Sequence, residues 1–191
     1  MVVIQVSGFV GSGKKYLCSK LKKNIIYFDA DAIYRKIANQ IGLSSSLSNQ
    51  EVTQLREKAN IMFNDEIKKI INRESNKHEV IVFLTVDEYI RKADKRYYIK
   101  ITNMNETYRR FCLREINNFI KKSTTIKNMI KKDKINKIYD NINAELDLRI
   151  SFPIPYNDYV AENESSLHYA MSYKASVMSQ SDIIKEINKL A

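Results

Sequence analysis

At 191 residues, 44% hydrophobic and 28% charged, the chain is long enough to bury one full core and has the balance of an ordinary water-soluble domain. No stretch approaches the ~18 apolar residues of a membrane span, and Cys18 and Cys112 stand alone, which argues against a disulfide framework or a zinc site. The formal net charge of +10, carried by 23 Lys and 9 Arg, points to acidic ligands in general rather than to nucleic acid in particular.

The apolar run Val2 to Val6 predicts a first buried strand, too short for a signal peptide, so a cytoplasmic location is expected, the host cytoplasm if the source is viral. It leads into Gly8-Phe9-Val10-Gly11-Ser12-Gly13-Lys14, which holds three of the chain's four glycines. A strand, a glycine loop with a terminal lysine and a following helix form the pattern of a phosphate-binding loop. Glycines let the backbone turn tightly and aim several N–H groups into one concavity, and Lys14 adds a point charge for the outer phosphates. A plain strand-to-helix turn is the alternative. The next position, where a hydroxyl commonly meets Mg²⁺, is Lys15, followed by Tyr16.

The first helix is expected to run to about Lys23, with Leu17 and Leu21 facing the sheet. Ile25 to Phe28 predicts a second strand ending in Asp29-Ala30-Asp31. Two carboxylates at i, i+2 on the carboxyl edge of a sheet suit a metal ion and an acceptor hydroxyl; equally, one caps the helix Ala32 to Ile41 while Asp31 pairs with Arg35. After a polar connection, Ser44 to Asn49, a long helix is expected from Gln50 to about Arg73 with one apolar face. Glu79 to Thr85 is the clearest buried strand. Asp87 beyond it is either a magnesium ligand through water or the cap of a short helix, Glu88 to Lys92.

Arg96 to Thr102 alternates as a fourth strand, and the helix after it carries Arg109, Arg110 and Arg114. Arginines there would offset charge during phosphoryl transfer; a solvated basic face is the alternative. Lys121 to Lys137, with seven lysines and one acid, reads as an exposed lid. Phe152-Pro153-Ile154-Pro155 breaks any helix, Asn157 to Ser166 reads as loop, Tyr169 to Met178 as the fifth strand, and Ser179 to Ala191 as a closing helix.

This series of parts, anchored on Gly8 to Lys14 and Asp29-Ala30-Asp31, resembles the P-loop kinases of small molecules, the nucleoside monophosphate kinase-like group, across nearly the whole chain. Val80 to Thr102 resembles the matching part of viral and phage deoxynucleoside monophosphate kinases; the glycine loop with its paired aspartates also resembles dephospho-coenzyme A kinases and, more distantly, shikimate-type kinases. The resemblance implies an α/β three-layer sandwich around a five-stranded parallel sheet, one P-loop NTPase domain over 1–191. An acceptor-covering helical insertion is expected at about 43–74 and a lysine-rich helical lid at about 115–149. It implies ATP and Mg²⁺ as cofactors and a (deoxy)nucleoside monophosphate as acceptor, in a monomer or homodimer with no membrane partner. Lys14, Asp29, Asp31, Arg110 and Arg114 would carry the transfer. Gly8, Val10, Gly11, Ser12, Gly13, Lys14, Lys15, Tyr16 and Arg109 would hold the nucleotide, with Met178 and Ser179 in the loop that holds adenine, and Asp29 and Asp87 would serve the metal. The alternatives are a P-loop protein that binds without turnover, which Lys15 favours, a dephospho-coenzyme A kinase-type enzyme, and a polynucleotide kinase, which the positive charge favours.

Overall fold

The computed structural model describes residues 1–43, 49–86, 88–122 and 154–191. These fall into two compact units, Met1–Thr102 with Ser165–Ala191, and Asn103–Glu164. The helix expected within 43–74 belongs to the first unit. Of the expected lid, residues 123–149 lie outside the described residues, as does the Pro153 break.

Strands β1 (Val2–Ser7), β2 (Ile26–Asp29), β3 (Val80–Thr85), β4 (Lys95–Ile99) and β5 (Ser176–Met178) form one sheet in the order β2-β3-β1-β4-β5, parallel throughout. The described helices are α1 (Lys14–Ser19), α2 (Ala30–Gln40), α3 (Asn49–Glu74), α4 (Met104–Lys122), α5 (Tyr156–Ser172) and α6 (Gln180–Asn188). β3 reads as a nearly continuous apolar run, and β1 as one interrupted by Gln5, because helices cover both of their faces. Val3, Ile81 and Phe83 pack with Ala30 and Ile37 of α2 and with Ala59, Phe63, Ile67 and Ile70 of α3. The alternate residues Ile4, Val6, Val80, Val82 and Leu84 pack with Leu17 of α1 and with Ile183 and Ile187 of α6. Each fully buried side chain of this size stabilises the fold by roughly 1.5–3 kcal/mol. No described helix is long and apolar enough to cross a membrane.

Several boundaries differ from the sequence reading. α1 ends at Ser19 rather than near Lys23, because its last turn tightens, Lys20 N–H reaching Leu17 O, and the chain turns again at Lys22 to bring Ile25 into the core. No helix forms at 88–92. Gln5 Oε1 accepts from Ile90 N at 3.1 Å while Gln5 Nε2 donates to Glu88 O at 2.8 Å, so a side chain of β1 satisfies backbone groups that a helix would otherwise pair. β4 starts and stops earlier than Arg96 to Thr102, with Lys100 N still donating to Met178 O at 2.9 Å.

The largest correction is at α5. Residues 157–166 are helical rather than loop, and the expected strand from Tyr169 shrinks to Ser176–Met178. The buried stripe of α5 is Tyr159, Asn163, Ser166 and Ala170, correctly spaced for a helix but half polar. α5 then ends on Lys174 at φ 62°, with Lys174 N bonded to Met171 O and Ala175 N to Ala170 O, a left-handed helix stop usually given to glycine.

In the second unit, Asn103 opens α4 by accepting from Glu106 N at 3.0 Å. Tyr108 packs edge to face against Tyr156, ring centroids 5.2 Å apart, and its hydroxyl donates to Ile154 O at 2.8 Å.

Candidate functional site

The glycine loop leaves β1 at its carboxyl end, and Gly8 N donates to Thr85 O at 3.2 Å, tying the loop to β3. Gly11 and Gly13 both take φ 89°, where a side chain is strained. Gly13 is left-handed and Lys14 begins a right-handed helix. Such a handedness change is the backbone pattern of anion-binding nests, and within this loop Ser12 N donates to Phe9 O at 3.1 Å. A Cβ on Gly8 would lie 2.6 Å from Ser12 Oγ, so the loop closes too tightly for anything larger there.

Ser12 Oγ is buried without a hydrogen-bond partner among the described residues, a costly state for a hydroxyl. The Lys14 ammonium folds back onto the Gly8 carbonyl inside the same loop. Lys15 and Tyr16 point outward: both are exposed, and the Lys20 ammonium stands 5.3 Å from the Tyr16 ring centroid. Cys18 is buried, which pushes its thiol up to about 12 and disfavours the thiolate.

The two aspartates after β2 separate in role. Asp29 Oδ1 caps α2 by accepting from Ala32 N at 3.0 Å. Asp31 Oδ1 accepts from Val86 N at 2.8 Å, which turns it toward the end of β3. There it meets Glu88. Burial first, and then the hydrogen bond and negative charge of Asp31, push the Glu88 carboxyl up to about 7, against the opposing hydrogen bond from Thr85. Thr85 Oγ1 donates to Glu88 Oε2 at 3.0 Å and accepts from Glu88 N at 2.8 Å. Beside this pair the tyrosine hydroxyl of Tyr173 lies 3.3 Å from Ser7 Oγ and 3.5 Å from Gln5 Nε2.

No family model matches the chain, and no curated protein matches it either. What the site can do therefore follows from its own geometry. The glycine loop sits where the connections part: α1 packs on one face of the sheet, whereas Ile90 and Ala93, which follow β3, pack on the other. In open α/β sheets, ligands bind at such a switch point, at the carboxyl ends of the strands.

The loop's groups suit a phosphate tail, with backbone donors, one ammonium and one hydroxyl whose hydrogen bond is unmade. Asp31 gives one oxygen to Val86 N and pairs with a Glu88 carboxyl that holds its proton up to about pH 7, so the two together offer about one negative charge to a magnesium ion held through water. Among the described residues no group of three or more His, Cys, Asp and Glu forms a metal cage. Asp87 lies outside the described residues.

Met178 closes β5, and Ser179 caps α6 by accepting from Asp182 N at 3.2 Å. Arg109, Arg110 and Arg114 lie on α4 in the second unit. Arg109 and Arg110 share Glu106, each at 3.0 Å, while Arg114 bonds Glu115 at 3.0 Å and stacks 5.6 Å from the Phe111 centroid.

Sequence reasoning missed Glu88, Tyr173 and Gln5. A signal for Gln5 was present: Gln5 and Ser7 alternate with apolar residues in a strand that is otherwise hydrophobic, just ahead of the glycine loop. Polar groups buried in that position need partners, and here they find Tyr173 and the segment around Glu88.

Proposed function

We propose that this chain binds the triphosphate of ATP on Gly8 to Lys14 and transfers the γ-phosphoryl group to a nucleotide-like small molecule, a (deoxy)nucleoside monophosphate being the favoured class. The observation that carries the reading is the glycine loop itself, left-handed at Gly11 and Gly13, with Lys14 folded into it and Ser12 Oγ unsatisfied. Such transfers need positioning and charge stabilisation rather than a nucleophilic side chain. The loop's N–H groups and Lys14 hold the phosphates in place. Asp31 and Glu88, paired at the end of β3, would position the acceptor oxygen, which in a nucleoside monophosphate is a phosphate oxygen with no proton to remove, and ADP departs as its bond to the γ-phosphorus breaks. Asp31, with Glu88 beside it, would hold a magnesium ion through water, and such an ion would supply positive charge against that of the phosphates.

A second reading, nucleotide binding without turnover, is favoured by one feature: Lys15 stands exposed where a hydroxyl would serve the metal, and its charge repels a cation. Calorimetry with ATP, followed by transfer of labelled phosphate to a panel of nucleoside and deoxynucleoside monophosphates, tests both. Binding with transfer is expected, and Lys14→Ala should abolish transfer while the fold stays intact. Binding without transfer, with magnesium or manganese, selects the second reading. A wild-type protein that fails to associate with ATP or GTP at millimolar levels refutes the two together.

A further inference from the structure

The glycine loop does not stand on its own helix. α1 has only six residues, too few to persist without outside support. α6 supplies it at both ends. Gln180 Nε2 donates to the Gly13 carbonyl at 2.7 Å, alongside Leu17 N at 3.0 Å. At the other end, Asn188 Oδ1 accepts from Lys22 N at 2.9 Å and Asn188 Nδ2 donates to Lys20 O at 3.2 Å. Eight residues of helix place these two amides on one face, roughly 12 Å apart, so one rigid element fastens both ends of α1. α6 is itself held, by the Ser179 cap and by Ile183 and Ile187, fully buried against the sheet.

The contact at Gly13 is close. A Cβ there would lie 2.6 Å from Gln180 Nε2, so the amide occupies the space a side chain would need. Because a trans peptide is planar, its C=O and the following N–H point in opposite directions. Pinning the Gly13 carbonyl toward Gln180 therefore fixes the Lys14 N–H toward the opposite side, the loop side. A left-handed glycine is the residue most free to flip this peptide, and Gln180 opposes the flip together with the Leu17 N–H of a helix only six residues long.

We propose that Gln180 is a positioning residue for the phosphate site: by holding the Gly13 carbonyl it sets the Lys14 peptide in its anion-binding orientation. The proposal rests on the phosphate-loop reading above. It makes the strength of phosphate binding depend on a residue 167 positions away in sequence, on an element that need not touch the phosphates.

The test is calorimetric titration of the full chain with ATP and with inorganic tripolyphosphate. Gln180→Ala and Gln180→Met, the second keeping volume but losing the donor, should each weaken both ligands about tenfold, the effect of one lost polar contact. Gln180→Glu should weaken them at least as much, with the additional loss relieved by salt, since it places a like charge beside the phosphates. Asn188→Ala is the control. It loosens the far end of the same helix pair, and is expected to lower the Tm while leaving ATP affinity within about twofold, since it makes no contact with the loop's peptides.

Wild-type binding with unchanged affinity in Gln180→Ala and Gln180→Met overturns the proposal and leaves the phosphate loop standing. A loss seen with ATP but not with tripolyphosphate also overturns it, because Gln180 would then act on the nucleoside. Failure of the wild-type protein to bind either ligand overturns the phosphate-loop reading, and this proposal with it.

Discussion

Replacing Glu88 with Gln separates the ionisation of one carboxyl from the rest of the molecule. Glu88 is pushed from 4.5 to about 7, by burial first and then by the hydrogen bond and charge of Asp31. A proton held that much more tightly in the folded than in the unfolded chain corresponds to about 3 kcal/mol. The sign follows from the raised value: this stability is fully present below pH 4.5, declines as the pH climbs toward 7, and is lost above it.

Glu88→Gln keeps an oxygen for Thr85, offers an N–H to Asp31 and has no proton to lose. Discounted for partial solvent access, the variant should be more stable than wild type by roughly 1–3 kcal/mol at about pH 8 and should converge with it near pH 4.5. Urea unfolding of both proteins across that range reads the difference, and subtraction removes the carboxylates they share. Parallel stability curves would refute the assignment of a protonated Glu88 to the fold. On the proposed transfer reading, in which the Asp31–Glu88 pair lies beside the acceptor, the same substitution should slow phosphoryl transfer.

Ser12→Ala removes a buried hydroxyl that has no partner among the described residues, so the ligand-free protein should gain about 1 kcal/mol in urea unfolding while ATP affinity falls severalfold in calorimetry; a destabilised variant contradicts the orphaned hydroxyl. Lys15→Thr exchanges a charge that repels the metal for a hydroxyl, and magnesium-dependent transfer should rise at least about tenfold in steady-state assays. No rise would mean that this position takes no part in metal placement. Lys174→Gly relieves a lysine held at φ 62° and should raise the urea midpoint, at unchanged slope, by the equivalent of about 0.5–1 kcal/mol, the left-handed cost less the extra freedom glycine gives the unfolded chain.

β1, β3 and α3 were legible because each carries a pattern that tertiary contacts reinforce: mostly apolar strands covered on both faces, and a long helix with one apolar stripe. The glycine loop was legible for a different reason, since its backbone conformations admit few residues other than glycine. What stayed hidden depended on polar partners distant in sequence. The segment after β3 reads locally as a helix start, yet Gln5 and Val3, more than eighty residues upstream, take up its backbone and side-chain groups. α5 was hidden because Asn163 and Ser166 occupy its buried face, and composition alone assigns such residues to loops. Asp29 and Asp31 looked equivalent on paper. Only the position of β3 beside β2 shows that one closes a helix while the other faces a second carboxyl.

The register of β1 has a consequence for biosynthesis. Val2 lies opposite Val80, and its other neighbour, β4, comes later still, so the central strand emerges long before anything exists to pair with it. At a translation rate of about 5–20 residues per second, it waits roughly 4–16 seconds with apolar side chains on both faces and both edges open. A nascent chain in that condition invites wrong pairings, and its yield in a cell should respond to slower elongation or to the supply of chaperones more sharply than the stability of the finished protein suggests.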